Sequence, residues 1–167
     1  MKKLMIALLL VSGSLTMQAQ DTNDGGKGQV WYSDVKEAMK VSKKKKKPLM
    51  LFFTGSDWCG WCIRLQKEVF KTPEFTKWAK DNVVLVELDF PRKKQLPAEL
   101  QKQNMELQQT FQVRGYPTVW IVNATTNKDK QVNFEQLGTT GYVAGGPSKW
   151  LEGANQILAN NKKKKKS

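Results

Sequence analysis

The chain holds two cysteines, Cys59 and Cys62, and both lie in the stretch TGSDWCGWCIRL at residues 54 to 65. Two sulfurs at this spacing can staple the chain, hold a metal or exchange electrons. A staple stabilises by closing a long loop in the unfolded chain, and a bridge from Cys59 to Cys62 closes almost none. An inert buried pair needs no such spacing at all. A structural zinc site takes four protein ligands, but this chain has no third cysteine and no histidine, so carboxylates or methionines would have to complete a zinc or copper site. Electron exchange asks only that one sulfur be ionised and reachable with its twin close behind.

That last chemistry depends on what precedes and follows the pair. PLMLFFT, residues 48 to 54, is a nearly continuous apolar run suited to a strand covered on both faces. Gly55 and Ser56 turn the chain. From Cys59 onward Cys62, Leu65, Val69 and Phe70 make an apolar stripe at helical spacing. Cys59 then falls on the first turn of a helix, where unpaired backbone N–H groups and the positive end of the macrodipole favour thiolate over thiol. A free cysteine, with a pKa of about 8.5, becomes more acidic in such a place. Cys62 lies one turn later on the same side. The expected roles are Cys59 as nucleophile and Cys62 as resolving thiol.

The remaining elements follow from periodicity and punctuation. In WYSDVKEAMKVSKK the positions Trp31, Val35, Ala38, Met39 and Ser42 predict a helix capped by Ser33 or Asp34 and stopped by Pro48. Thr72 and Pro73 open a second helical segment to about Asn82. VVLVELDF, residues 83 to 90, is a second buried strand, and Leu96 to Phe111 a helix with Leu100, Leu107 and Phe111 on one face. A strand from Thr118 to Asn123, a short polar turn and a strand at QVNFEQL form an antiparallel pair. Pro147 opens a last helix striped by Trp150, Leu151, Ala154, Ile157 and Leu158. The order implies a mixed sheet with helices on both faces.

Residues 1–19, MKKLMIALLLVSGSLTMQA, have the two lysines, short apolar run and small-residue end of a cleaved secretory leader. The protein is therefore expected in the periplasm or secreted, touching a membrane only through that leader. Residues 20–29 read as a flexible mature N-terminus, 30–160 as one domain and 161–167 as a lysine-rich tail. Removing Lys2 and Lys3 from the 28 basic residues leaves 26 against 15 acidic ones, a net of +11. Much of this excess sits in two runs, Lys43 to Lys47 and Lys162 to Lys166, which read as solvated charge or as attraction to anionic envelope partners. An exported protein is not expected to bind nucleic acid.

A strand, WCGWC, a helix, and then Gly115-Tyr116-Pro117-Thr118 before an antiparallel strand pair together resemble the thioredoxin family. The likeness covers roughly Trp31 to Asn160. Within the family, the extra N-terminal helix and the run from SDWCGWC to KEVF are most similar to exported thioredoxin-like proteins related to the bacterial disulfide-interchange reductases. The resemblance implies the α/β thioredoxin fold, a mixed central sheet flanked by helices with an extra N-terminal helix. It also implies a cis Tyr116–Pro117 peptide beside the cysteines, with the Tyr116 backbone pairing with an extended substrate segment. Many thioredoxins carry a buried acid six residues before the first cysteine, where this chain has Phe53. Lacking that acid and any histidine, the pair is expected to be reducing to intermediate in potential, with Asp57 opposing thiolate formation if its charge is close and Glu68 or Glu87 as substitute proton carriers.

Trp61, between the thiols, is expected to offer an apolar rim to a peptide. Trp58 divides between packing and the substrate-binding surface, joined there by Tyr116 and Pro117. Trp31, Trp78, Trp120 and Trp150 are read as core, and Arg64 is given no role. The expected function is thiol–disulfide exchange with protein or peptide disulfides, by a monomer without cofactor or metal, reset by an external thiol or a membrane electron donor. A thiolate metal carrier and a peptide-binding chaperone on the same fold are the alternatives.

Overall fold

The computed structural model describes residues 28–129 and 131–164, with side chains as far as residue 160. The expected leader, nearly all of the flexible N-terminus and the last three residues of the lysine tail fall outside those residues.

A strand that is apolar at every position must be covered on both faces, and Leu49–Thr54 (β2) is buried at all six positions. It pairs in parallel with Val84–Asp89 (β3) and antiparallel with Thr118–Thr126 (β4). The short strand Trp31–Tyr32 (β1) lies parallel to β3 on its outer side, and Val132–Thr140 (β5) forms a hairpin with β4. The sheet order is β1-β3-β2-β4-β5. Trp31 therefore belongs to a strand and not to the following helix. Its apolar side faces the core as expected, but two residues carry too little periodicity to reveal a strand.

Helices cover both faces. Val35–Lys45 (α1) is capped by the Asp34 carboxylate, which accepts from the amides of Lys36 and Glu37, and ends on Lys46 in the left-handed conformation. With Ala98–Thr110 (α4) it packs over Leu49, Leu51 and Phe53. Gly60–Leu65 (α2) continues into a π-helical turn at Gln66–Phe70, and Thr72 caps Pro73–Asn82 (α3) by accepting from the Phe75 amide. These elements and Gly146–Lys164 (α5), which extends beyond the domain end expected at residue 160, cover Met50 and Phe52. Phe53, at the position of the family's buried acid, faces the α1–α4 side, where its ring lies 6.0 Å from Phe111. Trp120 is only half-buried, against Phe111, so it is a border residue and not core.

The π turn that ends the cysteine-bearing helix is fixed by aromatic packing. The Phe70 ring, 2% exposed, lies 5.0 Å from Phe52, 4.7 Å from Phe75, 5.3 Å from Trp150 and 5.4 Å from Trp31. One side chain thus ties β1, β2, α3 and α5 to the base of α2. Replacing Phe70 by Ala removes a whole ring from a packed site and is expected to cost about 3–5 kcal/mol, read as a lower midpoint in guanidinium unfolding. A loss below about 1 kcal/mol would show that the cluster does not hold the helix.

Candidate functional site

The turn between β2 and α2 is sewn to the end of β3 before the cysteines begin. Asp89, the last residue of β3, accepts from the Ser56 amide at 2.8 Å and the Ser56 hydroxyl at 2.6 Å, and pairs with Lys94 at 3.0 Å. Asp57 accepts from the amides of Arg92 at 2.9 Å and Lys93 at 2.7 Å. The Arg92 amide, foremost, holds the Asp57 carboxyl below its ordinary range. The charge expected to oppose the thiolate is thus bound by amides of the loop after β3. Gly55 has a steric reason to lack a side chain: an added Cβ would stand 2.4 Å from the Trp58 indole.

Trp58 is packed and oriented. Its Nε1 donates to the Phe90 carbonyl at 2.7 Å, the Arg92 guanidinium stacks 3.8 Å from its ring, and the ring meets Tyr116 edge-on at 5.8 Å. Trp58 thereby links the cysteine turn to Tyr116–Pro117, whose peptide bond is cis as the resemblance implied. The Tyr116 hydroxyl accepts from Gln108 at 2.7 Å, and burial raises its pKa.

Cys59 is the N-cap of α2, one position before its first helical residue. Its amide donates to the Gly55 carbonyl at 2.9 Å, and its Sγ accepts from the Cys62 amide at 3.2 Å. The two sulfurs are joined as a disulfide. Their exposure differs: 6% of Cys59 is open to solvent and none of Cys62. Cys59 thus keeps a narrow opening to solvent, and Cys62 is closed off.

On the other side of the disulfide stands a cluster that sequence reasoning did not assemble. Trp61 is 56% exposed, and its ring lies 5.1 Å from Tyr142, in the segment after β5. The Arg64 guanidinium sits 5.4 Å from the Trp61 ring and 5.3 Å from the Tyr142 ring. Glu68 accepts from Arg64 Nε at 2.7 Å and from the Tyr142 hydroxyl at 2.6 Å. The Tyr142 hydroxyl, ahead of Arg64, holds the Glu68 carboxyl below its ordinary range. Glu68 is thereby committed to orienting Arg64 and Tyr142. The Trp61–Arg64–Glu68 spacing of three and four residues is a helical signal available in the sequence. Nothing local marks Tyr142, which reaches the cluster only through the β4–β5 hairpin.

Glu87, the other acid considered for proton transfer, lies on β3 opposite Phe52, which packs in the same cluster as Cys62. Among the described residues no group of three or more Cys, Asp and Glu side chains is placed to hold a metal ion.

Residues 35–133 match the family model of a thioredoxin-like domain, and the chain belongs to that family. It is similar to the disulfide bond reductase DsbH of Chlamydia pneumoniae, 35% identical over 125 residues that make up 75% of each chain. It is also similar to the thioredoxin-related protein DsbJ of Chlamydia pneumoniae, 34% identical over 119 residues, which are 71% of this chain but 34% of that protein. Among solved structures, a DsbH oxidoreductase superposes with a TM-score of 0.69 at 32% identity, covering 89% of this chain and 95% of that one.

Burial, and after it the neighbouring Asp89 charge, pushes the Glu87 carboxyl up to about 7, while Lys94 and Lys71 pull the other way. The folded state therefore keeps the Glu87 proton to higher pH than the unfolded chain, so this group lowers stability as pH rises from about 4.5 to about 7. The full effect is up to about 3 kcal/mol. Glu87→Gln is expected to unfold at higher denaturant than wild type at pH 8, with the gap closing toward pH 4.5. Parallel stability profiles across that range would contradict the assignment.

Proposed function

We propose that this chain is an exported thiol–disulfide oxidoreductase that reduces or isomerises disulfides of proteins or peptides, with Cys59 attacking and Cys62 resolving. The observation that carries the reading is the asymmetry of the pair: Cys59 alone has an open edge, and its sulfur accepts an amide at the start of a helix. A solvent-sealed Cys62 cannot meet a macromolecular disulfide first.

In the reductive direction the Cys59 thiolate attacks one sulfur of a substrate disulfide. A Cys59–substrate bond forms, and the other substrate sulfur leaves as a thiolate. Cys62 then loses its proton and attacks the Cys59 sulfur, which releases the second substrate sulfur and closes the Cys59–Cys62 bridge. Two electrons pass from the pair to the substrate. An external thiol or a membrane electron donor must return them. Trp61 on one flank and Trp58, Tyr116 and Pro117 on the other bound the surface that a substrate segment crosses. Placement in the periplasm or outside the cell rests on the leader-like residues 1–19.

The reaction is tested by covalent trapping. Wild type is expected to reduce insulin disulfides in the presence of a thiol donor, and Cys59→Ser to lose this activity. Cys62→Ala is expected to accumulate mixed disulfides through Cys59, which a reductant releases. Retained turnover in Cys59→Ser, or binding of peptides or metal by wild type without any turnover, would overturn the proposal.

A further inference from the structure

The lysine run that the redox chemistry does not use has a place in the fold. A groove of about 920 Å³ lies between α1 and the β4–β5 hairpin, and Lys36, Lys40, Lys43 and Lys46 line it. The first three recur at i, i+4 and i+7, which is one face of α1. The fourth follows Lys43 by three residues. Lys44 and Lys45, from the same run, do not line it, and Lys45 borders a separate depression beside Thr76 and Val84. The run is thus sorted by the helix into two groups.

The groove carries far more positive than negative charge. Lys47 also lines it but donates to the Lys80 carbonyl at 2.5 Å. None of the four groove lysines makes an ion pair among the described residues. The single acid of the lining, Glu135, accepts from Asn123 at 2.8 Å. Between the lysines the lining mixes three apolar side chains, Met39, Ala124 and Val132, the last 41% exposed, with the polar Ser42, Asn123, Thr125 and Thr126.

We propose that this groove docks an extended acidic segment of a partner protein, whose carboxylates meet the α1 lysines and whose apolar side chains rest on Met39, Ala124 and Val132. Charge complementarity selects an anion, and the shape selects its kind. A concave trough with apolar patches among hydroxyl and amide side chains holds a polypeptide, which can meet both, whereas the plane of a lipid headgroup surface cannot follow it. The trough is away from the disulfide. It adjoins the end of β4 that pairs with Leu49 at the start of β2, and Cys59 follows the other end of β2. Six residues of strand span roughly 20 Å, so a segment in the groove leaves the sulfur free to react.

The test uses a cysteine-free synthetic peptide of alternating glutamate and valine, titrated into the whole chain at several salt concentrations. The expected result is binding that weakens with salt and amide shifts confined to Lys36–Lys47 and Asn123–Glu135. Changing all four groove lysines to Gln is expected to weaken binding at least tenfold, while insulin reduction stays at the wild-type rate. The same charge removed at Lys44, Lys45, Lys67 and Lys77 is expected to change binding less than threefold. Equal loss in both variants would overturn the proposal, because diffuse charge and not the groove would then be responsible. Amide shifts spread over the surface, no binding, or tighter binding to phosphatidylglycerol vesicles than to the peptide would each overturn it too.

Discussion

The site depends on one weak contact, the amide of Cys62 pointing at the sulfur of Cys59 from the start of α2. A sulfur at an N-cap receives an amide and the field of the helix without any charged partner. Such a terminus is worth about 0.3–1 kcal/mol at the surface and up to about 2 kcal/mol when partly buried. A strongly oxidising thiolate of the most acidic kind requires roughly 7 kcal/mol of stabilisation over a free one. The helix end alone therefore makes a moderately activated nucleophile. No histidine exists in the chain to supply the difference.

Much of the surrounding structure holds that contact in place. A strand buried on both faces fixes the start of the turn, and Asp89 and the Arg92–Lys93 amides fasten Ser56 and Asp57 to the end of β3. Phe70 anchors the far end of the helix in an aromatic cluster. The two flanks of the disulfide are built alike from an indole with an arginine against it, Trp58 with Arg92 and Trp61 with Arg64. They differ in what they serve. Trp58 is tied inward to Phe90 and Tyr116, while Trp61 stays open, its neighbours Arg64 and Tyr142 braced by Glu68.

The parts legible in the sequence were those governed by local spacing. The buried strand at 49–54, the Thr72 cap, the hairpin and the cysteine pair at a helix start all follow from periodicity and punctuation within a few residues. The cis bond at Pro117 was legible only through resemblance, since a proline by itself rarely implies one. What stayed hidden was tertiary. β1 is two residues long, so Trp31 looked like the first turn of a helix. Tyr142 meets Trp61 across the fold, and Asp57 finds its amides in a loop more than thirty residues away. The lysine run looked like uniform charge until α1 divided it between two surfaces. Arg64 carried a readable helical spacing to Trp61 and Glu68, but its place between two rings needed the hairpin.

The most direct measurement is the pH profile of alkylation for each cysteine of the fully reduced chain, read by peptide mass after iodoacetamide. The account predicts that Cys59 reacts first, with a midpoint moderately below that of free cysteine, while Cys62 resists until the chain unfolds. Reaction of Cys62 first, or a midpoint for Cys59 equal to or above that of free cysteine, would contradict it.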